Sequence, residues 1–195
     1  LIPILCLLFV IQIFGHEVSG VATNTETGEP LSGFDILLTY TNGGVAGDAT
    51  TGVDGSFTIT GITDGTYHLE FYSYPYPVIV NGDYFMRTIY PDQISVDGGS
   101  VSGIEFQIPP HHPGYTLTGT LYDAVTLEPI TIQDFEARAK LQYYVEFFYD
   151  NLTENGTYIL DQLPDWTYEF NIFGNDYYEG VASEITIDPM GPDTV

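Results

Sequence analysis

Oxygen ligands carried on turns are what a hard cation requires. Three aspartates of the first half, Asp48, Asp54 and Asp64, stand beside glycines in Gly47-Asp48, Asp54-Gly55 and Asp64-Gly65, and they define a candidate calcium site. The plainer use of each is an Asx turn on an acidic surface. Histidine offers less. His68 has no second His or Cys at ligand spacing and is expected on the more exposed face of a half-buried strand. The adjacent His111 and His112 could bind a metal together with a partner chain, and their plainer reading is as solvated linker side chains. Cys6 is the only cysteine, so a disulfide, a thiolate zinc site and a CxxC redox pair are all excluded within one chain. Two N-glycosylation acceptor patterns, Asn151-Leu-Thr153 and Asn155-Gly-Thr157, share one turn region. Asn155 also heads a predicted tight turn, so Asn151 is the better acceptor. The sequence contains no Gly-rich phosphate loop, HExxH, GxSxG or EF-hand loop, and plentiful carboxylates do not by themselves make an acid–base pair. These residues do not describe an enzyme, and no cofactor is expected beyond the candidate calcium ion.

The elements that carry these residues come in two copies. Asp54-Gly-Ser-Phe57, Ile62 and Asp64-Gly-Thr-Tyr67 recur as Asn155-Gly-Thr-Tyr158, Leu163 and Asp165-Trp-Thr-Tyr168, at one constant offset. The spacing predicts short strands throughout: Val18–Ala22, Phe34–Tyr40, Phe57–Thr60, Tyr67–Tyr72 and Val101–Ile108 in the first copy, with turns at Asp54-Gly55 and Thr63–Thr66. On the strand from Tyr67, residues 67, 69 and 71 share one face, and His68, Glu70 and Tyr72 the other. In the second copy Tyr115–Tyr122 is the first strand, and Leu141–Tyr149 reads as one long aromatic strand serving core and interface alike. Seven or so strands in the first copy, and the recurrence of its frame in the second, indicate an all-β chain of two tandem antiparallel β-sandwiches. The domains expected are 1–15, an apolar segment, then 16–110 and 111–195, divided by the stiff Pro109-Pro-His-His-Pro-Gly114.

Twenty-seven acidic against three basic residues give a net charge of −24. Such a surface repels phosphate backbones and anionic headgroups, so nucleic acid is excluded as a partner class. The apolar and aromatic content, 44% and 15%, is that of a folded protein rather than a disordered acidic chain.

Residues 1–14 are almost continuously apolar and stop at Gly15-His16. A membrane-spanning helix needs about 20 such residues, so membrane association is expected through this segment alone if at all. The run is similar to the h-region of a secretory signal, without a basic n-region or a clear small-x-small cleavage site. Free in water it would aggregate, so burial against a partner is expected. Its composition suits a strand donated to an open sheet edge of another subunit. In that reading Ile4, Leu5, Leu7, Leu8, Phe9, Val10, Ile11, Ile13 and Phe14 are the polymerisation residues, and the partner is another copy of the chain. A signal or a membrane anchor is the alternative.

Val18-Ser-Gly-Val21, Thr27-Gly-Glu-Pro-Leu-Ser-Gly33, Thr51-Gly-Val-Asp-Gly-Ser-Phe-Thr-Ile59 and Gly61–Tyr67 resemble the carboxypeptidase-regulatory-like, transthyretin-like β-sandwich family. The resemblance covers most of 18–108. In the second copy it covers 118–130 and 153–170, departing at Ile130-Thr-Ile where the first copy has Leu-Ser-Gly. It implies transthyretin-like (Ig-like) sandwiches that are non-catalytic and found in secreted enzymes, adhesins, surface proteins and fibres. The expectation is thus a secreted, extracellular or cell-surface structural subunit that polymerises head to tail. An adhesin or carbohydrate-binding module, with glycans as partners, and a membrane-tethered surface domain are the alternatives.

Overall fold

The computed structural model describes residues 15–123, 125–130, 136–142, 144, 147–151, 155–173 and 179–187, and every regular element among them is a strand. In chain order these are β1 (His16–Asn24), β2 (Asp35–Tyr40), β3 (Val45–Thr50), β4 (Ser56–Ile62), β5 (Gly65–Tyr72), β6 (Val78–Val80), β7 (Asp83–Phe85), β8 (Thr88–Ile89), β9 (Ile94–Val96) and β10 (Val101–Ile108). The second half adds β11 (Pro113–Thr120), β12 (Glu136–Leu141), β13 (Phe147–Asn151), β14 (Thr157–Pro164), β15 (Thr167–Phe173) and β16 (Glu179–Thr186). The chain is all-β and built of sandwiches. The described residues fall into two compact units. One is drawn from residues 15–23, Pro30–Glu70 and Ile89–Phe106, the other from Asn24–Glu29, Phe71–Thr88 and the described residues after 106.

In the first unit a three-stranded sheet, β10-β1-β4, faces a five-stranded one, β3-β2-β5-β8 with β9 also on β5. Period-two alternation decides what each sheet buries. On β4, Phe57 and Ile59 are buried between exposed Ser56, Thr58 and Thr60; on β10, Ile104 and Phe106 alternate with exposed Gly103 and Glu105. Val18, Ile36, Leu38, Tyr67 and Leu69 complete the apolar interior, each contributing about 1.5–3 kcal/mol by leaving water. A Cβ at Gly47 of β3 would lie 2.6 Å from Ile59 Cγ2, so the absent side chain lets the two sheets approach.

Gly47 and Asp48, expected in a loop, are part of β3, with Asp48 opposite Leu37. Glu70, expected on the exposed face with His68 and Tyr72, is buried at 6% exposure. On β5 residues 69 to 71 are all buried and His68 is half-buried, so this stretch packs on both faces and the simple alternation fails there.

The second unit contains a two-stranded sheet, β11-β14, a four-stranded sheet, β13-β12-β15-β16, and the β6-β7 hairpin. On β12 the buried residues Ala137, Ala139 and Leu141 alternate with Arg138 and Lys140, so two of the chain's three basic residues point away from the core. Arg138 meets Glu136, and Lys140 reaches its cross-strand neighbour Glu169 at 3.3 Å. The expected aromatic strand 141–149 is broken. Leu141 ends β12, Tyr144 N bonds to Leu141 O at 3.0 Å in a turn, and the chain returns as β13, antiparallel to β12. The phenol of Tyr144 points inward, and the residue is 3% exposed.

The two sequence copies fold alike. Val18 pairs with Ile59 and Gly20 with Phe57 between β1 and β4; Leu117 pairs with Leu160 and Gly119 with Tyr158 between β11 and β14. Gly55 (φ 74°) and Gly156 (φ 71°) hold the left-handed region, and their carbonyls accept Ala22 N and Leu121 N, each at 2.9 Å. Tyr67 Oη donates to Thr63 O at 2.8 Å, and Tyr168 Oη to Pro164 O at 2.5 Å. Burial, then the nearby Asp165 charge, pushes the Tyr168 phenol well above its usual range, which keeps it a donor.

Candidate functional site

The densest polar constellation among the described residues is gathered around His111 and His112, within the second unit. Pro109, Pro110 and Pro113 keep the chain extended here, so successive side chains point to opposite sides. His111 exchanges backbone hydrogen bonds with Tyr84, donating N–H to Tyr84 O at 2.8 Å and accepting Tyr84 N–H at 2.9 Å. Its Nδ1 lies 2.9 Å from Asp165 O and 3.3 Å from Asp165 Oδ2. Its ring meets Trp166 edge-on, with centroids 4.8 Å apart.

His112 faces two carboxylates. Nδ1 lies 2.8 Å from Asp83 Oδ1, Nε2 lies 2.9 Å from Glu26 Oε2, and the backbone N–H donates to Asp165 Oδ1 at 2.9 Å. Carboxylates on both ring nitrogens are satisfied together only by the imidazolium, which carries two N–H donors. The hydrogen bond to Asp83, then that to Glu26, raises its pKa above the ordinary 6.5. The expectation of solvated linker histidines is corrected for His111, whose side chain is 15% exposed; His112 remains 49% exposed, and its ring, when protonated, is held between two carboxylates.

Local turns position those anions. Glu26 sits on a turn in which Asn24 Oδ1 accepts Glu26 N–H at 2.8 Å and Thr27 N–H at 3.2 Å, with Gly28 at φ 71°. Asp83 follows Asn81 (φ 54°) and Gly82 (φ 96°) in the β6–β7 hairpin, whose two positive φ values mark a type I′ turn. Asp165 lies on the β14–β15 turn. The recurring frame marks the turn at Asp165 in the sequence; the Asn81-Gly82 turn and the convergence on His112 were not marked, because nothing local couples residues 26, 83 and 112.

The three candidate calcium aspartates serve different strands and turns. Asp54 Oδ1 accepts Ser56 Oγ–H at 2.6 Å and Ser56 N–H at 3.1 Å, which holds its carboxyl below the usual range, the side-chain bond first. Asp64 Oδ1 accepts Gly98 N–H at 2.8 Å and lies 3.1 Å from His16 Nε2. Asp48 stands exposed on β3. Among the described residues no group of three or more His, Cys, Asp or Glu side chains is arranged to hold a metal.

Of the acceptor asparagines, Asn155 is exposed and precedes Gly156. Asn151 ends β13 opposite Glu136, and Thr153 lies outside the described residues. The polymerisation residues 4–14 also lie outside them. Among the described residues no helix is long and apolar enough to cross a membrane.

The sheets, the paired turns and the buried tyrosine bonds define, among the described residues, an all-strand arrangement built of sandwiches. Residues 17–108 match the carboxypeptidase regulatory-like domain family. The fold is shared with a streptococcal ancillary pilin, at 13% identity and a TM-score of 0.56 over 92% of this chain. The chain spans 61% of that pilin's length. It is shared too with a minor pilin of Streptococcus agalactiae, at 12% identity and a TM-score of 0.52, over 89% of this chain and 90% of that one. Likeness at these identities speaks for the fold. No curated protein matches the sequence.

Proposed function

We propose that this protein is a non-enzymatic structural subunit of an extracellular, pilus-like fibre, with residues 16–110 and 111–195 as its two modules, and that copies join head to tail through the apolar residues 1–14. The observation that carries the reading is the apolar segment running directly into β1 of a chain with net charge −24. Such a segment demands an apolar acceptor, and a heterologous contact between identical copies propagates rather than closing. The sandwich fold shared with pilins, and engaged side chains where catalytic ones would be sought, support it. Electron microscopy of the natively purified protein beside a variant lacking residues 1–14 tests it. Regular filaments that vanish on truncation, with the sandwiches still folded, are expected; dispersed monomers in both samples overturn the reading. Asn151, then Asn155, are the positions where a glycosylating host would add glycan.

A specific observation favours a second reading, a glycan-binding surface module. Tyr74 and Tyr76 are each 59% exposed, between buried Ser73 and Pro77, an arrangement suited to stacking against sugar rings. Loss of glycan-array binding in Tyr74→Ala and Tyr76→Ala variants with unchanged melting would support it.

A further inference from the structure

The paired registers of the two copies set residues of one against residues of the other. Gly15 stands with Gly114, Gly20 with Gly119 and Ala22 with Leu121. In the same alignment Ile13 occupies the place of His112, and Val125 occupies the place of Glu26. The turns that carry Glu26 and Val125 are built identically. Asn24 Oδ1 accepts Glu26 and Thr27 N–H groups, and Asp123 Oδ1 accepts those of Val125 and Thr126 at 2.8 and 2.7 Å. Gly28 N bonds to Asn24 O and Leu127 N to Asp123 O, each at 2.9 Å; Thr23 bridges to Pro30 and Tyr122 to Pro129.

The two turns differ in what they present. The first offers Glu26 to His112, 2.9 Å away. The second carries Val125 at 90% exposure and Leu127 at 74%. Leu127 holds φ 59° where the first copy has Gly28 at φ 71°. An exposed leucine in the left-handed region costs backbone strain and gains little packing among the described residues, the pattern of a residue kept for contact. In the other copy the sequence thus replaces both members of the His112–Glu26 pair by apolar residues, Ile13 and Val125.

We propose that the turn Asp123–Glu128 is the acceptor for the residues ahead of β1 in a second copy of this chain, with Ile13 meeting Val125 and Leu127 as His112 meets Glu26. The occupant is argued from the repeat: the segment preceding one first strand already seats on the equivalent turn within the chain, and the sequence carries an apolar version of each half. The inference rests on the head-to-tail reading and names its acceptor. An apolar pair also suits contact between two strongly acidic copies, because it needs no charge to be neutralised or desolvated.

Sedimentation velocity of the full chain and its variants tests this. Val125→Glu and Ile13→His are each expected to weaken self-association by about tenfold or more, the loss of one buried apolar anchor. The double variant Ile13→His/Val125→Glu rebuilds the charged pair seen within the chain. It is expected to recover association at acid pH and to lose it as the imidazole deprotonates. Leu127→Gly is expected to weaken association while melting at the same temperature or higher, which separates contact from misfolding. If removal of residues 1–14 abolishes association while Val125→Glu leaves it intact, this acceptor is wrong and the head-to-tail reading stands. Association that survives the truncation overturns both. A double variant no stronger than the singles at any pH overturns the Ile13–Val125 pairing.

Discussion

Tyr144 Oη accepts the backbone N–H of Arg87 at 2.6 Å, and the same oxygen lies 3.0 Å from Ser73 Oγ. One phenol thereby fastens both ends of the excursion 73–87, which contains the exposed tyrosines and the β6–β7 hairpin. Met86, 0% exposed, packs into the same core as Tyr144, Leu160 and Tyr168. The excursion therefore belongs to the second unit, and Met86 anchors it in that unit's core, although the sequence places it within the first repeat.

Tyr144→Phe keeps the ring and removes the acceptor. The Arg87 N–H loses this partner at a partly buried site, and destabilisation of about 1–3 kcal/mol is expected, read from urea denaturation. Ser73→Ala, which leaves the bond to Arg87 in place, should cost less.

His112 makes stability depend on pH. Its folded pKa is raised by Asp83 first and Glu26 second. The stabilisation is then fully present below the unfolded value of 6.5 and is lost as pH rises through the higher folded value. The melting temperature of the wild type should exceed that of His112→Gln on the acid side, and the difference should vanish in alkali. An NMR titration of the imidazole should show the pKa falling further in Asp83→Asn than in Glu26→Gln.

Gly55→Ala should be strongly destabilising. Its φ is 74°, and a Cβ would lie 2.4 Å from Ala22 O, so backbone strain and overpacking add to about 3 kcal/mol. Gly156→Ala, where the Cβ would lie 2.5 Å from Ile130 O, should behave likewise. Thermal melts of both variants check this; unchanged melting would contradict the close approach at these turns.

Leu127→Gly should stabilise. The side chain is 74% exposed at φ 59°, so little packing is lost, and relief of left-handed strain outweighs glycine's added chain entropy by about 0.5 kcal/mol. Calorimetry of a variant lacking residues 1–14 isolates this effect from association.

The sequence by itself determined what depends on near neighbours. Alternation put Tyr67, Leu69 and Phe71 on one face, and all three are buried; Asp54-Gly55 and Asn155-Gly156 marked turns that the backbone adopts; the recurring frame announced two copies of one fold. Period-two patterning and left-handed glycines are local signals, since they follow from pleat geometry and the steric freedom of one residue. Only the tertiary structure decided which distant groups meet. It broke the run 141–149 into a turn and a returning strand, with Tyr144 inward, and it buried Glu70 on a strand covered from both faces. It seated His112 between Glu26 and Asp83, carried on separate turns. Those outcomes depend on contacts between residues far apart in the chain, and no pattern within a single strand or turn encodes its eventual neighbour.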